Sequence, residues 1–334
     1  MGSSAVDPAD LMPAAERVGR FREGLATLWP EAADEERLRL GLAVSGGPDS
    51  IALLLLAAAA LPGRVEAVTV DHGLRPESAR EAADVAALCA RMAVPHAILG
   101  IKVAPGNVQA EARVARYAAM ADWLGQRGLA ALATAHHADD QAETLLMRLN
   151  RASGVAGLAG TRGRGQVPGT GILLLRPLLA WRRAELGEIV VAAGIEAAQD
   201  PSNADDKYER ARIRKALADA GWLDVEAVAR SAEHIAEADA ALDWMAALEW
   251  RSCVKKEPMG LGYRPQAPRA VVLRVIARIV RELDGTEARG GAVARLLDAL
   301  TEGRAASIGQ LVVRPNAGRW SFSKAPVRAA KRKP

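Results

Sequence analysis

The sequence predicts an α/β chain: a parallel sheet with helices packed on it, followed by a smaller, mainly helical domain. Three observations predict it. An apolar run, Leu38 to Val44, stops at Ser45-Gly46-Gly47 and passes at once into an apolar helix, Ile51 to Leu61. A short apolar run bounded by turn residues suits a central parallel strand. Strand-like runs recur at Val65–Val70, His96–Val103 and Leu129–Thr134, each followed by a helical period, which is the alternation of a parallel α/β sheet. From about Leu217 onward the pattern is helical.

The 334 residues are enough for two domains, and half of them are hydrophobic. Aromatics make up only 4 %, so Ala and Leu carry the core and favour helix-rich packing. Lys plus Arg outnumber Asp plus Glu by 44 to 40, a net +4; the distribution of that charge matters more than its sum. Cys89 and Cys253 form no CxxC or Cys/His cluster, which argues against a disulfide framework or structural zinc and fits a reducing cytoplasm. The start, MGSSAVDPAD, lacks the basic and apolar regions of a signal peptide, and no run is long enough to span a bilayer. The expected divisions are an N-terminal extension and helix at 1–35, a catalytic domain at 36–216, a helical domain at 217–325 and a basic tail at 326–334.

The first element after the leading helix, Ala14–Leu28, carries the chemistry. Gly46 and Gly47 let successive N–H groups curl toward a ligand. With the positive end of the following helix they form an anion nest. Pro48 suits the first helical turn, and Ser45 and Ser50 supply hydroxyl donors. Asp49 is an anion beside an anion site, which makes sense if it holds Mg²⁺ or a cationic group. No Gly-Lys-Ser/Thr ends the loop, so it is not a Walker A motif.

Val65–Val70 runs into Asp71-His72-Gly73, and polar residues at the carboxyl end of a parallel strand lie where open α/β sheets bind ligands. Asp71 could bond a ribose or base there. Ser78, with Glu81 three residues on, reads as a capping box opening a helix to Ala93. In the helix from Asn107 to Gln126, Arg113 and Tyr117 share a face; Arg113 is expected to point at phosphate, since the guanidinium clamps phosphate bidentately, and Arg116 to lie on a solvated face. Leu129–Thr134 leads into Ala135-His136-His137-Ala138-Asp139-Asp140-Gln141-Ala142-Glu143, where a helix from about Asp139 clusters acids on neighbouring faces.

Residues 151–184 hold seven glycines spaced from Gly154 to Gly171, with Arg151, Arg162, Arg164, Arg176, Arg182 and Arg183, and read as a mobile basic loop. Asp200-Pro201-Ser202-Asn203 is a turn. Lys207, Arg210, Arg212, Arg214 and Lys215 then form a cluster suited to a polyanion. A long helix, Trp222–Trp250, should bury Val225, Val228, Ile235, Ala238, Leu242 and Met245 on one side. Two shorter helices, 270–283 and 291–300, and small strands at Ser307–Val313 and Trp320–Phe322 complete the chain.

SGGPDS resembles the pyrophosphate loop of the N-type ATP pyrophosphatases, and this implies a Rossmann-like parallel sheet carrying a PP-loop. The ordered series SGGPDS, VDHGLRPESAREA, ARVARY, AHHADDQAET, LNRASG, RPLL and DPSNADDKYERARIR is similar to that of the tRNA(Ile)-lysidine synthase family over residues 38–216. Arg151-Ala152-Ser153-Gly154 departs from the family's Arg-Gly-Ser-Gly. The resemblance implies ATP-dependent ligation of free lysine onto C2 of the wobble cytidine of a CAU-anticodon tRNA(Ile), through an adenylated base, with AMP and pyrophosphate released. It implies ATP and Mg²⁺ at Ser45, Gly46, Gly47, Pro48, Asp49 and Ser50, with adenosine at Asp71 and His72. It further implies catalytic roles for Asp49, Arg113, His136, Asp140 and Glu143, with lysine held by Asp140 and Glu143. Arg151, Arg162, Arg164, Arg210, Arg212 and Arg214 are expected to contact tRNA. The expected location is cytoplasmic, with no membrane partner; a homodimer is left open. The rival readings are a PP-loop tRNA thiolase making 2-thiocytidine, which needs paired cysteines or an iron–sulfur cluster, and a non-catalytic RNA-binding protein.

Overall fold

The computed structural model describes residues 11–71, 73, 76–101, 108–198, 207 and 209–325. His72, the Asp200–Asn203 turn and the basic tail lie outside the described residues. The chain divides into two compact units, 1–236 and 237–334.

In the first unit the elements follow in order: α1 (Ala15–Leu28), α2 (Glu31–Asp34), β1 (Leu40–Ala43), α3 (Pro48–Ala60), β2 (Val65–Asp71), α4 (Pro76–Arg91), β3 (His96–Gly100), α5 (Val108–Arg127), β4 (Ala131–Ala133), α6 (Ala138–Asn150), α7 (Val155–Leu158), β5 (Arg164–Gln166), β6 (Leu173–Leu175), α8 (Arg183–Ala192) and α9 (Glu209–Asp219). Six strands form one sheet in the order β3-β2-β1-β4-β6-β5. All neighbours are parallel except β5, which pairs antiparallel with β6 at the edge. The strand order reverses between β1 and β4, and ligands of open α/β sheets bind at the carboxyl side of that switch point.

The packing explains the sequence. Leu40 and Leu42 are fully buried beside Leu53 to Leu56 of α3, Phe21 and Leu25 of α1, and Leu186 and Ile189 of α8. Tyr117, Met120, Trp123 and Leu124 of α5 instead cluster with Val68, Leu132 and Leu174. A Cβ at Gly41 would meet Leu124 Cδ2 at 2.6 Å, so this glycine lets α5 lie close on β1. Glu66, buried in β2, is held by Arg39 at 2.5 Å and Arg127 at 2.7 Å; a buried carboxylate needs such pairing.

Three expectations change. Helix α4 starts at Pro76, ahead of Ser78, and the Ser78 hydroxyl donates to Asp71 instead of opening the helix. The glycine- and arginine-rich stretch is folded rather than a loose loop: it supplies α7 and the β5–β6 edge, and the Gln141 amide and Thr161 backbone exchange two hydrogen bonds (2.7 and 2.8 Å) that tie it to α6. Arg116 is half-buried and Arg113 is the more exposed of the two, although both guanidinium groups lie over the buried Tyr117 ring.

The long helix α10 (Val225–Cys253) contains the division at 236/237. The second unit continues with β7 (Val254–Glu257), β8 (Gly260–Tyr263), α11 (Arg269–Asp284), α12 (Gly290–Thr301), β9 (Ala306–Ile308), β10 (Leu311–Asn316) and β11 (Arg319–Lys324). The five strands form an antiparallel sheet, β7-β8-β11-β10-β9, a larger one than the two small strands expected. Val272, Val275, Ile276 and Ile279 of α11, Leu296 and Leu297 of α12 and Phe322 of β11 share its core. On α10, Ala238 and Met245 are exposed and Asp239 is the buried neighbour, because Arg274 of α11 pairs with it. No helix among the described residues is long and apolar enough to cross a membrane.

Candidate active site

The loop after β1 and the loop after β4 sit side by side at the switch point, because β1 and β4 are parallel neighbours. Gly46 has φ +89°, a conformation that favours glycine, and its carbonyl accepts the Ala198 N–H at 2.9 Å. Gly47 is different. Its backbone is ordinary extended chain, and an added Cβ would meet nothing nearer than Ser45 Oγ at 3.8 Å. Nothing in the fold requires glycine at 47, and this fits a ligand approaching the backbone closely. The Ser45 N–H donates to Ser50 Oγ at 3.1 Å, and the Ser50 hydroxyl donates to the Gly47 carbonyl at 2.9 Å. These bonds tie the loop across the first turn of α3, whose free N–H groups and dipole favour an anion.

His137 joins the two loops. It is the N-cap of α6 and makes a capping box with Asp140: its own N–H donates to Asp140 Oδ2 at 3.2 Å, and the Asp140 N–H reaches its Nδ1 at 3.4 Å. Its Nε2 lies 3.5 Å from Asp49 Oδ2 and 3.5 Å from Asp140 Oδ2. Burial alone would lower its pKa, but the bond to Asp49 and the charges of Asp140, Asp49 and Asp139 outweigh that and raise it. Asp139, whose Oδ2 lies 3.6 Å from His137 Nδ1, is held by the Arg182 guanidinium (3.1 Å) and the Arg183 N–H (2.8 Å); those bonds outweigh its burial and lower its pKa. His136 behaves in the opposite way to its neighbour. Burial, together with the charges of Arg176, Arg113 and Arg210, outweighs Asp140 and holds it at about 4, so it is neutral at pH 7. One ring nitrogen, Nδ1, is 3.0 Å from the Thr134 hydroxyl.

Asp49 Oδ1 is buried and has no hydrogen-bond partner. A buried carboxylate oxygen without a donor is costly unless a cation or donor arrives with the ligand. Among the described residues no group of three or more His, Cys, Asp or Glu gathers as a metal cage. Mg²⁺ needs none: it is commonly held by one or two carboxylates together with substrate phosphates and water. Asp49, with Asp140 on the same imidazole, fits that pattern.

The other expected residues fall as follows. Glu143 is 1 % exposed and is clasped by Arg214 at 2.6 Å and Arg210 at 3.0 Å, which pins α9 to α6. Asp71 Oδ1 accepts from the Gly73 N–H at 2.9 Å and the Ser78 hydroxyl at 2.6 Å, shaping the turn after β2. The arginines expected on tRNA all have partners within the fold. Arg151 pairs with Glu209, Arg162 donates to the Ala159 carbonyl, Arg164 forks onto Glu31, and Arg212 reaches the Lys207 carbonyl. Sequence reading gave no role to His137 or Arg176. His137 had a signal: a side chain with a lone pair directly before a helix, and an acid three residues on. Arg176 opens the RPLL block and ends an apolar run, and neither pointed to a particular partner.

The PP-loop domain family matches residues 21–220. A tRNA(Ile)-lysidine synthase from Novosphingobium aromaticivorans is 46 % identical over 319 residues, covering 94 % of this chain and 96 % of its own. One from Zymomonas mobilis is 41 % identical, covering 87 % and 89 %. Among solved structures, a U34-tRNA thiolase from Methanococcus maripaludis with a 4Fe-4S cluster matches with TM-score 0.53 at 14 % identity, over 66 % of this chain and 80 % of that one; this is a likeness of fold.

Proposed function

The chain belongs to the tRNA(Ile)-lysidine synthase family of PP-loop proteins, and from that premise we propose how its residues share the work. The enzyme uses ATP to join lysine to the wobble cytidine of tRNA(Ile). C2 of cytosine is a urea-like carbonyl and a poor electrophile, so it must be activated. The cytosine O2 attacks the α-phosphorus of ATP and pyrophosphate leaves; an amine of lysine then attacks C2 and AMP leaves.

The observation that carries the assignment is the meeting of Asp49 and Asp140 on one imidazole, His137, from loops far apart in the chain. The cradle of Ser45, Gly46, Gly47, Pro48 and Ser50 takes the departing pyrophosphate. Mg²⁺, held at Asp49 beside Asp140, would offset phosphate charge there. Neutral His136 and the exposed Arg113 face the α-phosphate, where negative charge grows. Asp140 is assigned to the lysine ammonium, which must lose a proton before attack. Glu143 shares the lysine wall, with its carboxylate already committed to Arg210 and Arg214. Asp71 and His72 are assigned to adenosine. Arg151, Arg162, Arg164, Arg210, Arg212 and Arg214 are assigned to tRNA phosphates. An anticodon loop lets the target base unstack at less cost than a duplex would. We place the enzyme in the cytoplasm.

The thiolase alternative needs reactive cysteines. Cys89 is fully buried, and burial pushes its thiol up to about 12, far from the thiolate that sulfur transfer or cluster ligation uses. The test supplies ATP, labelled lysine and a CAU-anticodon tRNA(Ile) transcript, with elongator tRNA(Met) as control. Label in the isoleucine RNA together with pyrophosphate release is the expected result. Absence of both in folded protein would sink the assignment.

A further inference from the structure

The second unit has cavities of its own. Its strand pairing sets Tyr263 of β8 between Val254 of β7 and Trp320 of β11. The start of β7, the end of β8 and the β10–β11 turn therefore meet at one end of the sheet. Two cavities lie there. One, of about 380 Å³, is walled by Ser252, Lys255, Arg264, Gln266 and Arg319. The other, of about 510 Å³, is walled by Pro265, Leu300, Thr301, Pro315 and Trp320. Asn316 and Ala317 line both. Each volume falls in the range of small-ligand sites, about 300–1,000 Å³.

The turn that separates the cavities is strained. Asn316 pairs with Arg319, which leaves a two-residue loop, Ala317-Gly318, with φ of +45° and +77°. Such hairpin turns ask for positive φ at both positions, and asparagine or glycine is the usual first residue. Alanine held there is an outlier of the kind that clusters at ligand clamps.

The two cavities differ in chemistry. In the smaller one Arg319 is neutralised by Glu257 at 2.6 Å, and the pair lies over Gly262, where a Cβ would collide with both side chains. Glu249, the other nearby acid, already accepts from the Tyr263 hydroxyl at 3.1 Å and from the N–H groups of Gln266 and Ala267 at 2.7 and 3.2 Å. Lys255 and Arg264 are exposed, and among the described residues no carboxylate pairs with either. The smaller cavity thus holds two unneutralised cations. The larger one is mostly apolar, with Leu300, Pro315 and the indole of Trp320, which Tyr263 meets edge-on at 5.8 Å. An anion joined through a short polar link to a flat apolar body matches the two together.

We propose that this end of the second unit binds a nucleoside monophosphate, with the phosphate at Lys255 and Arg264 and the base against Pro315 and Trp320. A phosphomonoester carries about −1.5 to −2 near neutral pH, which two free cations match. Each phosphodiester of an RNA strand carries a single charge, and a strand needs cations spread along a track, whereas these two are confined to one cavity. The proposal uses no residue of the first unit and stands apart from the lysidine reading.

The test photolabels the full chain with 8-azido-AMP and maps the labelled peptides, so that the two units are read separately. The expected result is label within residues 300–320 that falls at least tenfold in Lys255→Ala/Arg264→Ala, while label within residues 45–60 stays within twofold. The nucleoside 8-azidoadenosine, without the phosphate, should label residues 300–320 at least tenfold less. No label in 300–320, or equal label in the folded double variant, overturns the proposal. So does a single-stranded RNA without terminal phosphates that displaces the label as well as AMP does, since the occupant is then a strand. Should the double variant fail to fold, the two single variants and the nucleoside comparison on wild type decide. Loss of label from 45–60 alone would count against the proposed function and leave this site standing.

Discussion

Replacing Glu143 by Gln keeps the shape of a buried side chain and removes its charge. Glu143 is 1 % exposed, while Arg214 and Arg210, which hold it, are 28 % and 45 % exposed. Breaking a fully buried ion pair costs about 3–5 kcal/mol, chiefly because the partner charge is stranded. Here water reaches both arginines. The Arg210 contact therefore counts as a surface pair, under about 1 kcal/mol, and the Arg214 contact keeps roughly half the buried figure. The glutamine oxygen can still accept one bond, so the expected loss is about 2–3 kcal/mol. For a folded unit of this size that lowers Tm by about 5–10 °C. The assay is thermal unfolding of Glu143→Gln, Arg214→Gln, Arg210→Gln and the two doubles. Coupling to Arg214 should exceed about 1 kcal/mol and coupling to Arg210 should be smaller. A Tm within about 2 °C of wild type, or additive doubles, would refute the reasoning that Glu143 pins α9 to α6.

Other outcomes follow from the same geometry. Asp49→Ala and Asp140→Ala should each lose ligation by at least about a hundredfold, as residues acting on developing charge do, while tRNA affinity in filter binding stays within a few fold; normal turnover in both would remove them from the site. Gly46→Ala should lower stability by about 1–2 kcal/mol for its left-handed backbone, whereas Gly47→Ala should melt like wild type and bind ATP more weakly, so equal melting of the two would contradict the distinction. The two histidines titrate in opposite senses. His136, near 4 when folded, leaves the unfolded chain binding the extra proton, so stability falls by up to about 3 kcal/mol as pH drops from its ordinary value toward 4. His137 is raised, so its contribution is present below its ordinary value and is lost as pH rises through the folded one. Urea midpoints against pH for His136→Asn and His137→Asn should flatten the acid and alkaline limbs respectively; the reverse pattern would mean the two rings are misassigned.

What could be read in advance was whatever depends on the local chain. Leu38–Val44, the glycine pair and the apolar helix announced β1, the turn after it and α3, because burial on both faces leaves an unbroken apolar run. The sequence placed β2 at Val65–Val70 and the structure at Val65–Asp71; α11 and α12 differed from expectation by one residue at each end. The edge strand β5 was not legible, since Arg164-Gly165-Gln166 owes its conformation to pairing with Leu173–Leu175 rather than to any periodicity. The β7–β8 hairpin failed for a similar reason: Lys255 and Lys256 carry no apolar alternation. In the site, residue types were legible but partners were not. That Glu143 would meet Arg210 and Arg214, or that Asp49 and Asp140 would share His137, depends on which loops the sheet order brings together.

The bond from the Ala198 N–H to the Gly46 carbonyl ties the first functional loop to a segment translated long after it. A nascent chain that has emerged only as far as α8 therefore lacks one support of that loop. Among C-terminal deletions, fragments ending before Ala198 should hold ATP less well than fragments extending past it, even with every residue of SGGPDS present. The catalytic half thus has a minimal length set by a backbone amide rather than by any motif.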